Sequence, residues 1–373
     1  MKAVGVVFSN IHDKYIPELT RGRTMASVPY GGRYRLIDFV LSGMVNARIE
    51  KVGVITKSNY QSLMDHIGSG KDWDLTRKNA GIILLPPFGA AENLQLYRTR
   101  LEALKGILSF LMRCREQYVL LTDADKVMNI DYADIIAFHE QKGADITAVY
   151  REEDLTEIRA AQAAVYSADS GGRITAVQLY PRLSGKAKVC QKIFVLSREL
   201  LIGLVVDAVS SGKTSFHGDI LRDSCDTLKI YGYLFKGYSA TIDSLAAYYS
   251  SSMDLLSRNV LDDVFGGAHG RLVYTKVRDS VPSKYFEGAS TANSLIADGC
   301  EIHGSVENSI IFRGVKVGRG AKIKDSVIMQ DSVIGENASL SCVITDKNVY
   351  IGDRRTLAGC ETLPYFVGKN MRL

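Results

Sequence analysis

Short apolar runs alternate with helically spaced apolar residues along the first two-thirds of the chain. Ala3–Phe8, Val52–Ile55, Ile82–Leu85, Tyr118–Leu121 and Ile146–Tyr150 are rich in β-branched residues and predict strands. Between them, Arg35–Ala47, Asn93–Arg113 and Tyr132–Lys142 carry apolar residues at helical spacing and predict helices. Strands alternating with helices predict a doubly wound, mainly parallel α/β sheet. Ligands of such sheets sit at the carboxyl ends of the strands, so the residues just after each strand are the ones to inspect.

From about Asn293 the pattern changes. Val317-Gly318, Ile334-Gly335 and Ile351-Gly352 recur at an interval of 17 residues. Ser309-Ile310-Ile311, Ser326-Val327-Ile328 and Cys342-Val343-Ile344 repeat around them at intervals of 17 and 16. Val317, Ile323, Ile328, Ile334 and Leu340 place one aliphatic side chain at roughly every sixth position, as the three short faces of a parallel β-helix coil require. Four unrelated strands of a sandwich would not keep that interval. The expected organisation is an α/β domain over residues 1–261, a linker over 262–292 containing Gly266-Gly267 and Pro282, and a β-helix over 293–373.

Composition adds a few bounds. A chain of 373 residues with 46% hydrophobic and 23% charged residues is an ordinary globular protein of two domains. No apolar run reaches the roughly 18–20 residues of a membrane span. The opening MKAVGVVFSN has no small-residue cleavage site behind it, so it reads as a first buried strand and the cytoplasm is the expected compartment. Six scattered cysteines without a C-x-x-C pair signal neither a disulfide framework nor a zinc site. The net charge of +5 suits phosphorylated metabolites or plain surface charge, and no nucleic-acid or membrane partner is expected. The six histidines, His12 among them, lack zinc-ligand spacing and are assigned to core or surface.

The segment Pro29-Tyr30-Gly31-Gly32-Arg33-Tyr34-Arg35-Leu36-Ile37-Asp38-Phe39 resembles the signature P-x-G-G-[KR]-[YF]-R-[LI]-I-D-F of bacterial glucose-1-phosphate adenylyltransferases, the ADP-glucose pyrophosphorylases. Collinear matches follow at Trp73-Asp74-Leu75, Leu84-Leu85-Pro86-Pro87-Phe88, Tyr97-Arg98, Asp125 to Tyr132, Gly237-Tyr238, Tyr248-Tyr249 and Met253-Asp254-Leu255-Leu256. The resemblance covers nearly the whole chain. It implies a nucleotide-sugar-transferase-like, Rossmann-like first domain followed by a left-handed parallel β-helix. The implied reaction of active members joins glucose 1-phosphate to ATP, giving ADP-glucose and pyrophosphate. The sugar phosphate attacks the α-phosphorus in line, so catalysis is mostly positioning and charge neutralisation. A glycine-rich loop with an arginine, phosphate-holding lysines and two Mg²⁺-binding aspartates serve it.

This chain departs from the family at those charge-handling positions. The loop G-G-x-G-[ST]-R-L corresponds to Asn10-Ile11-His12-Asp13-Lys14-Tyr15-Ile16: the glycines are gone, Tyr15 replaces the arginine, and Asp13 is expected to repel phosphate. The lysine of R-A-K-P-A-V-P is replaced by Met25, which neither donates a hydrogen bond nor balances charge. The lysine of F-V-E-K-P, which grips the sugar phosphate, is replaced by Tyr180. One metal aspartate is kept as Asp125, beside a competing Lys126, whereas Thr241 stands at the second. Asp243, two residues on, is expected to point to the same side in an extended chain.

A dismantled site on an intact scaffold resembles the GlgD-type subunit of glycogen-making Gram-positive bacteria. That resemblance implies a non-catalytic regulatory subunit of ADP-glucose pyrophosphorylase, paired with a catalytic subunit in a mixed tetramer. No cofactor is expected in the chain itself, and Mg²⁺ only in the catalytic partner. Arg21, Arg23, Arg33 and Arg35 cluster around the signature loop. They are read either as a structural, solvated loop with Arg35 paired to a carboxylate such as Asp38, or as an anion site for a phosphorylated metabolite or orthophosphate effector. Arg23 and Arg35 match positions implicated in effector control of the family. Two further functions stay open: an active nucleotidyltransferase using Asp125 and Asp243 around an altered phosphate loop, and a free-standing sugar-phosphate or phosphate sensor.

Overall fold

A computed structural model describes residues 3–78, 80–87, 97–155, 163–181 and 185–373. The first domain is built on a nine-stranded sheet. Its strands are β1 (Ala3–Phe8), β2 (Lys51–Ile55), β3 (Gly81–Leu85), β4 (Tyr118–Asp123), β5 (Ile146–Leu155), β6 (Ala164–Ala168), β7 (Ile174–Leu179), β8 (Gly185–Ser197) and β9 (Ile230–Leu234). The main path runs β7-β6-β8-β4-β1-β2-β3, with β5 pairing β8 and β9. The half around β1 is parallel, as the strand–helix alternation predicts. The other half turns antiparallel at β8, which pairs β4, β5 and β6 in that sense.

Alternate residues of β1 feed opposite faces, as strand geometry requires. Val4, Val6 and Phe8 pack with Leu101, Leu104, Leu111, Leu201 and Val205 on one side. Ala3 and Val7 pack with Ile37, Leu41, Met44, Ile135 and Ile136 on the other. The helices behind those residues are Leu36–Asn46 and Tyr132–Lys142 on one face, and Arg100–Gly106, Leu108–Arg113 and Arg198–Ser210 on the other. The expected helix Asn93–Arg113 is interrupted at Ile107, just after Gly106, a residue that weakens a helix interior. Its residues 93–96, and Phe88 of the motif before it, lie outside the described residues.

The C-terminal domain is a left-handed β-helix whose three faces are five-stranded parallel sheets. Ile302, Val306, Ile311, Val317, Ile323, Ile328, Ile334 and Leu340 are buried in its bore. Val317 pairs Ile334, and Ile334 pairs Ile351, so the 17-residue interval is the length of a coil. Val327 pairs Ile344, which places the third repeat one residue later than the sequence match at Cys342 suggests. Val343 therefore stands over Ser326, and its N–H donates to that hydroxyl at 3.1 Å. The first coil begins at Lys284–Tyr285, ahead of the boundary expected at 293. Its early strands, Lys284–Tyr285 and Ser290–Ala292, are exposed and lack the aliphatic period that betrays the later coils. At the other end of the expected linker, helix Arg258–Phe265 runs past 262.

The two domains share a core. Ile16, Leu19, Met25, Val28, Tyr30, Leu36 and Phe39 pack against Ile310, Phe312, Val327, Met329 and Ile344. Tyr249 Oη donates across the junction to Asp325 O at 2.7 Å. The signature segment makes this junction: Pro29–Tyr30 pairs antiparallel with Tyr34–Arg35, and Gly31 and Gly32 turn between them at φ 57° and 84°. Only glycine takes two successive positive φ values at little cost. No helix among the described residues is long and apolar enough to cross a membrane.

Candidate functional site

A cleft of about 470 Å³ opens at the carboxyl ends of β1 and β4. Its inner wall carries His12, Arg100, Asp125, Lys126, Lys192, His217 and Thr241. The loop after β1 contributes His12. Without glycines the loop is stitched down by side chains: Asn10 Nδ2 donates to Asp13 Oδ2 at 2.7 Å and to Ser58 O at 3.0 Å. Asp13 turns away from the cleft and accepts the Met25 N–H at 2.8 Å, which corrects the expectation that it repels a ligand. Burial pushes its carboxyl up to about 6, against the Met25 and Asn10 hydrogen bonds that favour the charge.

Asp123 ends β4 and Asp125 follows it, both buried. His12 Nε2 donates to Asp123 Oδ2 at 2.6 Å and lies 3.5 Å from Asp125 Oδ2. Arg100, on the first turn of its helix, gives Nε to Asp123 Oδ1 at 2.9 Å and a second, shorter contact from Nη2 to Oδ2. A cation is disfavoured by the dipole at a helix N-terminus, so the carboxylate is what fixes Arg100 there. Lys192 Nζ donates to Asp125 Oδ2 at 2.7 Å. Burial opposes the charge on both aspartates, but Arg100 and His12 at Asp123, and Lys192 and His12 at Asp125, hold the carboxyls below their usual value.

Lys126 and Thr241 face each other in a two-stranded ribbon, Lys126–Met128 against Ser239–Thr241. Lys126 Nζ donates to Thr241 Oγ1 at 2.7 Å and to Gln191 Oε1 at 3.0 Å. Gln191 passes the network on to Glu153 Oε1 at 3.1 Å. Burial lowers the Lys126 amine, with Asp125 opposing. The buried polar groups thus satisfy one another. Within this network Asp125 Oδ1 stands apart: it is buried and finds no donor among the described residues.

His12, Asp123 and Asp125 present ligand atoms within 4.8 Å of one another. Yet two side-chain cations, Arg100 and Lys192, bond the two carboxylates, and Thr241 supplies a hydroxyl already bonded to a third, Lys126. Mg²⁺ takes hard oxygen ligands and avoids like charge. The residues present do not fit it.

The expected positions divide. Asp125, Thr241 and Asp243 line the cleft, although Asp243 stands outside the His12–Asp123–Asp125 cluster. Tyr15 lines it too, stacked on His12 with centroids 5.7 Å apart. Tyr180 stands on the rim, 65% exposed and at φ 51°. Met25 does not face the cleft at all: it is buried in the core between the domains. His12, assigned from its spacing to core or surface, is instead a cleft residue. Asp123, Arg100 and Lys192 were not singled out from the sequence. The Thr122-Asp123-Ala124-Asp125 step at a strand end was the available signal for Asp123, and nothing local marks the other two.

The arginine cluster also divides. Arg33 and Arg35 line a small pocket at the domain junction together with Lys276, Arg278, Arg313 and Lys347. Arg23 is buried beside it, clamped by Asp346, whereas Arg21 is exposed and outside the lining. The Arg35 guanidinium donates to Ser62 Oγ at 2.9 Å, so it is not paired with Asp38. Asp38 accepts the Arg35 N–H at 3.0 Å and His66 Nε2 at 2.6 Å.

The chain matches the nucleotidyl transferase family over residues 16–249 and the GlmU-like C-terminal hexapeptide family over residues 280–361. It is 32% identical over 368 residues to the glycogen biosynthesis protein GlgD of Bacillus subtilis (strain 168), covering 99% of this chain and 96% of that one. It is 35% identical over 325 residues to the GlgD of Geobacillus stearothermophilus, covering 86% and 83%. The glucose-1-phosphate adenylyltransferase of Acetivibrio thermocellus is 31% identical over 351 residues, covering 93% and 81%. The fold and the strand-end cleft define a nucleotidyltransferase-type protein with a hexapeptide β-helix. Within that class the chain belongs to the glucose-1-phosphate adenylyltransferase family as a GlgD-type member, with a role in glycogen biosynthesis.

Proposed function

We propose that this chain is a non-catalytic subunit that modulates a catalytic glucose-1-phosphate adenylyltransferase in a hetero-oligomer, a mixed tetramer, in the cytoplasm. One observation carries the reading: the hydroxyl of Thr241, at the second metal position, is bonded to Lys126 where the reaction needs a carboxylate on Mg²⁺. Mg²⁺ then belongs to the partner's site. The test is ADP-glucose formation by the chain alone and mixed with a catalytic subunit. A silent chain that changes the rate or effector response of the mixture supports the role. Mg²⁺-dependent turnover by the chain alone, lost in Asp125→Asn, overturns it in favour of an active transferase.

The regulatory input in this reading is a phosphorylated metabolite or orthophosphate at the domain junction. Arg33, Arg35, Lys276, Arg278, Arg313 and Lys347 converge there, with no carboxylate in the lining among the described residues. Several guanidiniums around one small space suit a bidentate phosphate. Because both domains line the pocket, an anion there favours one setting of the junction over another, the differential contact that coupling requires. Calorimetry on the assembled complex with phosphate and with fructose 1,6-bisphosphate tests this, and heat from neither ligand sinks the effector site.

A further inference from the structure

Lys192 sits inside β8 with a left-handed backbone, φ 60°, at the place where pairing with β5 shifts register between Cys190 and Phe194. That conformation favours glycine, and a lysine adopts it against its backbone preference. The bulge re-aims the side chain into the cleft, as bulges do. Nζ then lies 2.7 Å from Asp125 Oδ2, 4.0 Å from Asp123 Oδ2 and 3.3 Å from His12 Nε2. The three ligand atoms that come together closely enough for a metal are therefore all within reach of one tethered ammonium. Arg100 and His12 hold the remaining face of Asp123.

We infer that Lys192 is a built-in counter-ion standing in place of the divalent cation, so that the cleft keeps its shape without a metal and excludes one. Two buried carboxylates this close need positive charge between them. In this chain that charge is covalently attached, and any ion seeking the same oxygens meets an ammonium already bonded there. Lys126 extends the exclusion to Thr241, since its ammonium fills the space between that hydroxyl and Gln191. The inference deepens the non-catalytic reading, but is tested apart from it.

The experiment is titration of the full chain with Mn²⁺ alone, read by electron paramagnetic resonance. The wild type is expected to bind no stoichiometric Mn²⁺ into the millimolar range. Lys192→Gly removes the ammonium and suits φ 60°, so the variant is expected to fold and to bind Mn²⁺ at Asp125 roughly tenfold more tightly or better. Lys192→Arg keeps a cation and is expected to stay closed to the metal, a result that a merely structural role would not give. One-to-one binding by the wild type that Asp125→Asn abolishes overturns the inference, as does a folded Lys192→Gly chain that binds no better than wild type. The wild-type titration decides even if a variant fails to fold. A silent chain that binds Mn²⁺ sinks this inference and leaves the regulatory role standing, whereas turnover by the chain alone sinks the role.

Discussion

Arg23 and Asp346, 323 positions apart in the sequence, form a buried ion pair across the domain junction, with Nη2 2.8 Å from each carboxylate oxygen. Asp346 also accepts the Lys347 N–H at 2.7 Å, so the pair fixes the β-helix backbone as well as the charge. Replacing one partner strands the other in a buried place. Asp346→Asn is expected to lower stability by about 3 kcal/mol, because breaking a buried pair costs far more than an exposed one. Urea denaturation checks it, and a change near zero would mean that the pair contributes nothing to docking. Asp346→Asn also leaves Arg23 uncompensated beside the basic pocket, so phosphate binding at the junction is expected to tighten.

Lys347 predicts a pH dependence. Burial pushes its amine down to about 7, with Arg35 and Arg23 adding to the shift and Asp346 opposing it. The ordinary value is about 10.5. Between the two, the unfolded chain binds more protons than the folded one, so this group makes stability rise with pH across that window. The full penalty of burying the ammonium applies below about pH 7. Lys347→Met is therefore expected to raise the melting temperature most at pH 6.5 and progressively less toward pH 10. Phosphate added at pH 6.5 should stabilise the wild type more than the variant, since only the wild type offers an ammonium to the anion.

The order of elements was legible because strand and helix periods survive in a linear string: Ala3–Phe8 is buried throughout, and helix Tyr132–Lys142 has the bounds its apolar spacing predicts. The register of the β-helix was nearly so, with an error of one residue at Cys342, where Val343 continues the column of Ser326. Charge pairing was not legible. Asp125 could be found by its motif, but its partner Lys192 is reached through a bulge in a strand that no local pattern announces. The same holds for Arg100, brought to Asp123 by the packing of its helix on the sheet. Met25 shows the converse error. A position aligned to a catalytic lysine reads as a lost cleft contact, whereas in this chain it is core between domains.

The recurrent glycines of the β-helix make a prediction about close approach. Gly318 and Gly335 do not have positive φ; a Cβ on Gly335 would lie 2.6 Å from Gly352 C and 2.7 Å from Asp353 N in the next coil. Backbone atoms cannot step aside as a side chain does. Gly335→Ala is expected to destabilise the chain by about 3 kcal/mol, the upper range for overpacking. Gly288→Ala is the control: its φ is 84° but nothing among the described residues lies within 4 Å of the added carbon, so only the backbone cost of about 1 kcal/mol applies. Thermal melts of both variants check the ranking, and equal losses would refute the close-approach reading.

Arg100 makes the last prediction, because it turns a buried carboxylate from a liability into a support. Burial opposes the charge on Asp123, but Arg100 and His12 outweigh it and hold the carboxyl well below its usual value. A depressed folded value contributes stability that is present above the unfolded value of about 4 and is lost as pH falls through the folded one. In the wild type this contribution is constant between pH 5 and pH 7. Arg100→Met removes the largest of the charges opposing burial at Asp123; with only His12 and Lys192 left against it, burial is expected to raise the carboxyl above its unfolded value, so the folded variant binds more protons than its unfolded chain and loses stability as pH rises. The expected deficit is about 3 kcal/mol at pH 7, as for other broken buried pairs, and smaller at pH 5. Urea denaturation at the two pH values measures it. A deficit of the same size at both would show that Arg100 acts by packing on Phe8, whose ring it covers at 5.9 Å, and not by pairing with Asp123.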